Sequence, residues 1–131
     1  CSQTFDKAND CLDCDECGGG ELMFESCNSG LSSYNLRFCY LCCSNCHSLT
    51  PGVVLVGPVL AGIGTRAPTI IKQANYTGQA KSAADYVRES ITNPNAFIEA
   101  GFQPDVMRAT YAQALSPQEI EDLVAFLLTL K

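Results

Sequence analysis

All nine cysteines of this 131-residue chain lie within its first 46 residues, and the rest of the chain contains none. The excess of negative charge is also concentrated in the N-terminal part. Residues 1–42 carry seven acidic and two basic side chains, whereas the two signs are nearly balanced in residues 43–131. A cysteine-rich segment with little core of its own depends on disulfides or a metal to fold. We therefore predict an irregular, acidic, Cys-rich extension over residues 1–35 and a folded domain over residues 36–131.

Charge and hydropathy exclude two broad classes of protein. The formal net charge is −6, and binding to nucleic acid needs an excess of Lys and Arg to contact phosphates. The longest apolar run, Val53 to Ile63, is interrupted by glycine and proline and is far shorter than the roughly 20 residues that span a bilayer. We expect neither a nucleic-acid partner nor a transmembrane helix.

Helical patterns predominate along the domain, and no alternating strand pattern is present. Residues 36–47 and 82–93 have the pattern of amphipathic helices, the second with Ser82 as its N-cap. The last helix begins with Ser116 and Glu119, the spacing of a capping box. Its apolar residues recur at helical spacing: Ile120, Leu123, Val124, Leu127 and Leu128. The segment 51–70 is rich in Gly and Pro and is predicted to be an extended loop around something apolar. The fold class expected is mostly α.

Residues 43–47 have the sequence Cys-Ser-Asn-Cys-His, the CxxCH pattern of covalent haem attachment. On a helix, Cys43, Cys46 and His47 occupy positions i, i+3 and i+4 and share one face. Two thiols can then reach the two haem vinyl groups while the imidazole approaches the iron from the same side. A redox CxxC of the thioredoxin type expects a βαβ context, which is missing here. Cys42 offers a second attachment frame with Cys46, but Cys43 has the better helical spacing.

A second axial ligand has to come from elsewhere, because His47 is the only histidine of the chain. The two methionines are Met23, in the acidic extension, and Met107, in a predicted loop before the last helix. Methionine with histidine is a known haem ligand pair that raises the reduction potential, and simple core packing is the alternative role. We favour Met107 as the ligand because its loop has no helical apolar stripe. Six apolar residues are expected to keep water from the haem: Val54, Val59, Ile63, Phe97, Phe102 and Leu115.

Residues 36–131 resemble a class I monohaem cytochrome c, because several segments match that family in the same order along the chain. The matching segments are CSNCH at 43–47, Gly57-Pro58, the YVRESI helix followed by Asn-Pro, Met107 and the terminal helix. The resemblance implies helices wrapped around one covalent haem c, with the Pro58 carbonyl accepting a hydrogen bond from the ring of His47. Arg108 departs from the family, which commonly has Pro after the ligand Met.

Within that family, the segments YVRESI at 86–91 and NPNAFIEAGF at 93–102 are similar to those of cytochrome domains in respiratory complexes. It resembles the lipid-anchored monohaem subunit of alternative complex III, or the haem domain of some oxidase subunits. In the first comparison Cys1 is the acylated residue, and acyl chains hold the protein on a membrane.

The function implied by this resemblance is one-electron transfer in a membrane-bound quinol-oxidising respiratory or photosynthetic complex, without catalysis of its own. The expected partners are the other subunits, a soluble electron-acceptor protein and the lipid membrane. The expected location is the extracytoplasmic (periplasmic) face of a bacterial membrane. The alternatives are a haem enzyme or gas sensor with an open distal site, a free periplasmic shuttle, and a structural zinc module.

Six cysteines remain after Cys1 and the CxxCH pair are set aside: Cys11, Cys14, Cys17, Cys27, Cys39 and Cys42. Disulfides are favoured, because c-type haem occurs in oxidising extracytoplasmic compartments. The alternative is a metal site, since two CxxC pairs have zinc-ribbon-like spacing and 11–17 partly resembles an iron–sulfur run.

Overall fold

The structure, a computed structural model, describes residues 43–131. This part contains the helices α1 (Cys43–Cys46), α2 (Ile63–Ile70), α3 (Ala83–Thr92), α4 (Tyr111–Ala114) and α5 (Pro117–Thr129). No strand occurs between residues 43 and 131, so the mostly α fold class is confirmed. The extension, the predicted domain boundary at 35/36, and the first part of the predicted helix 36–47 lie outside the described residues.

The two predicted helix starts are present with their caps. The backbone N–H of Glu119 donates to Ser116 Oγ at 3.3 Å, and the Glu119 carboxylate accepts from the backbone N–H of Ser116 at 2.8 Å. This is the reciprocal capping box expected from the spacing. At α3, Ser82 Oγ accepts from the N–H of Asp85 at 3.1 Å. The helix ends before Pro94, because a residue that precedes proline avoids the helical conformation.

The core of the described part lies where α2, α3 and α5 pack against one another. Its buried apolar residues are Ile63, Ala67, Ile70, Tyr86, Val87, Ile91, Leu115, Ile120, Leu123, Val124 and Leu127. Burial of one such aliphatic side chain contributes about 1.5–3 kcal/mol. The apolar stripes predicted on α3 and α5 therefore face this common core.

An ion pair on the surface adds a link between α3 and α5. The guanidinium of Arg88 donates to both carboxylate oxygens of Glu121, at 2.6 and 2.8 Å, and to Asp85 at 3.0 Å. The hydrogen bond from Arg88 lowers the pKa of the Glu121 carboxyl. One of the basic side chains of the domain is thus engaged within the fold.

The prediction of an extended loop over 51–70 is wrong for its second half, which forms α2. Proline inside a helix removes a hydrogen bond and costs about 3 kcal/mol, and α2 contains Pro68. The helix forms nevertheless because Ile63, Ala67 and Ile70 recur at helical spacing and are all buried in the core that α2 shares with α3 and α5. Tertiary packing therefore outweighs the local preference.

Helix α2 comes very close to the end of α5 at Gly64. The backbone N–H of Gly64 donates to the Leu130 carbonyl at 2.8 Å. A Cβ added at Gly64 would overlap the carbonyl oxygen of Leu128. That oxygen belongs to the backbone of α5 and cannot rotate away. Only glycine, whose side chain is a single hydrogen atom, therefore fits at this helix crossing.

Gly64→Ala is expected to lower the free energy of unfolding by about 2–3 kcal/mol, the usual cost of overpacking a tight contact. Denaturant unfolding followed by circular dichroism measures the change. The adjacent exposed residue supplies the control, since Thr65→Ala should shift stability by less than about 0.5 kcal/mol. Equal stability of the Gly64 variant and wild type would show that the helices can move apart without cost.

Between residues 43 and 131, no helix is both long enough and apolar enough to cross a bilayer.

Candidate haem site

The CxxCH segment forms one helical turn. The backbone N–H of His47 donates to the carbonyl of Cys43 at 2.8 Å, which is the i to i−4 bond of an α-helix. Cys43 is half-buried and Cys46 is exposed. The helical register predicted for this segment is therefore present, and it places Cys43, Cys46 and His47 along one face.

The imidazole of His47 is fixed by the chain eleven residues further on. Its Nδ1 lies 2.7 Å from the Pro58 carbonyl oxygen. A carbonyl can only accept, so Nδ1 carries the proton, and in the neutral ring Nε2 keeps its lone pair for a metal. This is the contact that the sequence resemblance implies for Pro58. A hydrogen bond from the Gly57 N–H to the Cys46 carbonyl, at 2.8 Å, closes the same loop.

Gly57 lies directly against the His47 ring, and the sequence alone gives it no separate role. A Cβ at this position would lie 2.5 Å from Cε1 and 2.8 Å from Nδ1 of the imidazole. These separations are far below van der Waals contact. A glycine at position 57 therefore allows the ring to sit against the backbone and to reach Pro58.

An uncharged apolar surface adjoins the His47 loop. Apart from His47, the sequence from Cys43 to Thr65 has no ionisable side chain other than the two cysteines of the motif. The exposed large hydrophobic residues of the described part are Leu49, Val53, Val54, Leu55, Val56 and Val106. Five of them follow His47 in sequence, and the sixth precedes Met107. A run of exposed apolar residues such as Val53 to Val56 indicates a ligand or partner.

A charged network contacts the chain at Val59, the residue after Pro58. Arg66 donates through Nη2 to the Val59 carbonyl and pairs with Glu99 at 3.5 Å. The Tyr86 hydroxyl donates to Glu99 at 3.4 Å, and burial, followed by the nearby Glu99 charge, raises the pKa of Tyr86. Within residues 43–131, Arg66 Nε is a buried donor without a hydrogen-bond partner. No sequence motif predicts this network, because the residues that form it are far apart along the chain.

Met107 belongs to a separate segment, the loop from 93 to 110 between α3 and α4, where it is half-buried. Asn95 and Asp105 are hydrogen-bonded within this loop, and the Phe97 ring packs against that of Tyr76 with centroids 5.1 Å apart. The predicted ligands therefore come from two different segments of the fold, His47 from the CxxCH turn and Met107 from the loop before α4.

The six residues expected to keep water from the haem differ in their burial. Ile63 and Leu115 are core residues, and Phe97 packs against the core. Val59 and Phe102 are half-buried, whereas Val54 is 62% exposed. Ile63, Leu115 and Phe97 are already engaged with the core, so the apolar surface that remains to contact a ligand belongs to Val54, Val59 and Phe102.

Comparison with known proteins places the domain in a family. The model of the cytochrome c family matches residues 38–131. A curated relative, cytochrome c-550 of Novispirillum itersonii, is 34% identical over 100 residues, which cover 68% of this chain and 89% of the relative. No solved structure gives a significant match. Members of the family carry covalent c-type haem and typically transfer electrons. The chain belongs to the cytochrome c family, and its cofactor is one covalently bound haem c.

Proposed function

We propose that this cytochrome transfers single electrons with Cys43 and Cys46 as the thioether attachment sites and His47 and Met107 as the axial ligands. The observation that carries the proposal is the 2.7 Å contact between His47 Nδ1 and the Pro58 carbonyl. It fixes the tautomer that leaves Nε2 available to iron. A bound c-type haem supplies an iron that gains and loses one electron, and the protein sets the potential at which this happens.

The residues around His47 fit such a group in two respects. Haem is large and mainly apolar, and the exposed residues Val53 to Val56 supply apolar surface beside the ligand. Haem also carries two carboxylates, and Arg66 has a buried N–H that makes no hydrogen bond within the described part. A guanidinium N–H is a strong donor to carboxylate. We therefore assign Arg66 to a haem carboxylate and Val53 to Val56 to the cover of the haem.

Met107 is proposed as the distal ligand because its loop leaves the residue half-buried, next in sequence to the exposed Val106. His47 and Met107 together would hold the iron from both sides and would leave no coordination position open to a substrate. This arrangement favours an electron carrier over the enzyme or gas sensor considered from the sequence.

Gly57→Ala tests the role of His47. The added methyl collides with the imidazole, so we expect a displaced ring, a weakened bond to iron and a ferric spectrum with a high-spin component. Optical and electron paramagnetic resonance spectra measure this change.

Gly52→Ala is the matched control in the same loop. Gly52 has φ 77°, which strains any other residue, but a Cβ there meets nothing within 4 Å. The substitution should lower stability by about 1 kcal/mol and keep the low-spin spectrum. If both variants keep that spectrum, Gly57 does not position the ligand.

We further propose that the protein is a fixed subunit of a membrane-bound quinol-oxidising complex on the extracytoplasmic face and passes electrons to a soluble acceptor. Two of its bases, Arg66 and Arg88, are engaged in ion pairs, and the sequence from Cys43 to Thr65 has no ionisable side chain outside the CxxCH motif. Steering of a diffusing partner needs a concentrated patch of one sign. These features favour an apolar, permanently docked interface over a free shuttle.

Deletion of residues 2–35 tests the fixed-subunit proposal. The haem spectrum should be unchanged, because the proposed haem residues lie in 43–107, while the protein should no longer co-purify with its complex. Stoichiometric co-purification of the shortened protein would contradict the docking role of the extension. Acylation of Cys1 and the disulfides or metal at Cys11 to Cys42 concern residues outside the described part and stay predictions.

A further inference from the structure

The loop that carries Met107 contains a reciprocal pair of hydrogen bonds. The side-chain amide of Asn95 donates to the Asp105 carboxylate at 2.8 Å, and the backbone N–H of Asp105 donates to Asn95 Oδ1 at 2.9 Å. We call this pair the Asn95–Asp105 clasp. It joins residues ten positions apart, and its second member is two residues before Met107.

The backbone at Asp105 has a conformation that needs support. Its φ is 60°, and it is the one residue other than glycine with positive φ in the described part. Left-handed backbone is strained for an L-residue, and apart from glycine Asp and Asn tolerate it best. The clasp uses both the backbone N–H and the side chain of Asp105, so it holds the chain in this turn just before Met107.

The two halves of the loop are held differently. The first half contacts the body of the domain through Phe97 against Tyr76 and Glu99 with Arg66. The second half is mostly exposed to solvent, and its open residues are Gly101, Gln103, Pro104, Asp105 and Val106. Burial contributes little there, so hydrogen bonds within the loop carry more of the task of fixing its path.

We propose that Asn95 and Asp105 are positioning residues for Met107: the clasp ties the residues that precede the ligand to the anchored first half of the loop. This inference rests on the proposed function, because it requires Met107 to bind the iron. A ligand on a loop has to be held in place by its neighbours for its bond to form without a large ordering cost.

The chemistry of the clasp permits a partner-swap experiment. Asn95→Asp removes the amide donor and places two carboxylates against each other, which breaks the clasp. Combining Asn95→Asp with Asp105→Asn restores both bonds. In this double variant the asparagine amide at position 105 donates to the carboxylate at position 95, which also accepts from the backbone N–H of position 105.

Net charge is controlled in two ways. The double variant has the same net charge as the wild type, since the amide and the carboxylate only exchange places. Asn75→Asp adds the same single negative charge as Asn95→Asp but at an exposed turn outside the loop, so it separates the effect of charge from the loss of the clasp.

The readout is the rate at which cyanide replaces the methionine ligand on the ferric haem protein, together with the charge-transfer band from methionine sulfur to ferric iron. We expect Asn95→Asp to bind cyanide about three- to tenfold faster, as loss of one or two exposed hydrogen bonds implies. The double variant and Asn75→Asp should stay within about twofold of the wild type. The free energy of unfolding, measured with denaturant, should change little among these variants even where the cyanide rate changes, since the clasp lies outside the core.

Two results overturn the proposal while leaving the function intact. These are a wild-type rate in Asn95→Asp, and a double variant as fast as Asn95→Asp, each in a protein whose methionine band is present. A wild-type protein without the methionine band overturns the ligand assignment and, with it, the clasp as its positioning device.

Discussion

Met107→Ala is expected to lower the reduction potential by on the order of 0.1 V or more, within the roughly 0.8 V over which axial ligands set haem potentials. Thioether sulfur stabilises the reduced iron, and alanine supplies no ligand in its place. The ferric protein should lose its methionine band, and the ferrous protein should bind carbon monoxide readily. Redox titration followed by absorption spectroscopy measures all three changes.

Met23→Ala is the natural control, because Met23 is the other methionine of the chain. It should alter neither the potential nor the spectrum. A Met107 variant with the wild-type potential and methionine band would refute the assignment. If Met23→Ala produced the losses instead, the distal ligand would come from the acidic extension.

Replacing both Cys43 and Cys46 with serine is expected to abolish covalent attachment. Thioether bonds survive denaturation, whereas a haem held only by axial ligands is released when the protein unfolds. After extraction with acid acetone, the wild-type haem should remain with the polypeptide, and the double variant should retain essentially none. Each single variant should keep haem through one bond.

Cys42→Ser is the control for the alternative frame. It should retain haem as the wild type does, because Cys43 has the helical spacing to His47 that the structure describes. Haem that extracts freely from the wild-type protein would contradict attachment at either frame.

Local patterns predicted a large part of this fold. Ser116 with Glu119 marked one helix start and Ser82 another, because a cap is an interaction between residues three apart. The apolar stripe of α5 identified its buried face for the same reason. Helix α2 escaped prediction because Pro68 and the flanking glycines argue against a helix locally, and only packing against α3 and α5 favours it.

The candidate site divides along similar lines. The motif at 43–47 is contiguous, and the family resemblance implied Pro58 as its partner, so this part was accessible from sequence. Gly57 under the imidazole, Arg66 with Glu99, and the clasp at Asn95 depend on contacts between distant residues. Their side chains have many common roles, and only the fold brings them together.

The absorption spectrum of the purified wild-type protein, recorded oxidised and reduced, tests the central claim most directly. We predict a six-coordinate low-spin spectrum in both states, with the band from methionine sulfur to ferric iron in the oxidised protein and no carbon monoxide binding when reduced. A high-spin ferric spectrum without that band, with ready binding of carbon monoxide, would contradict ligation by His47 and Met107 and the electron-carrier function built on it.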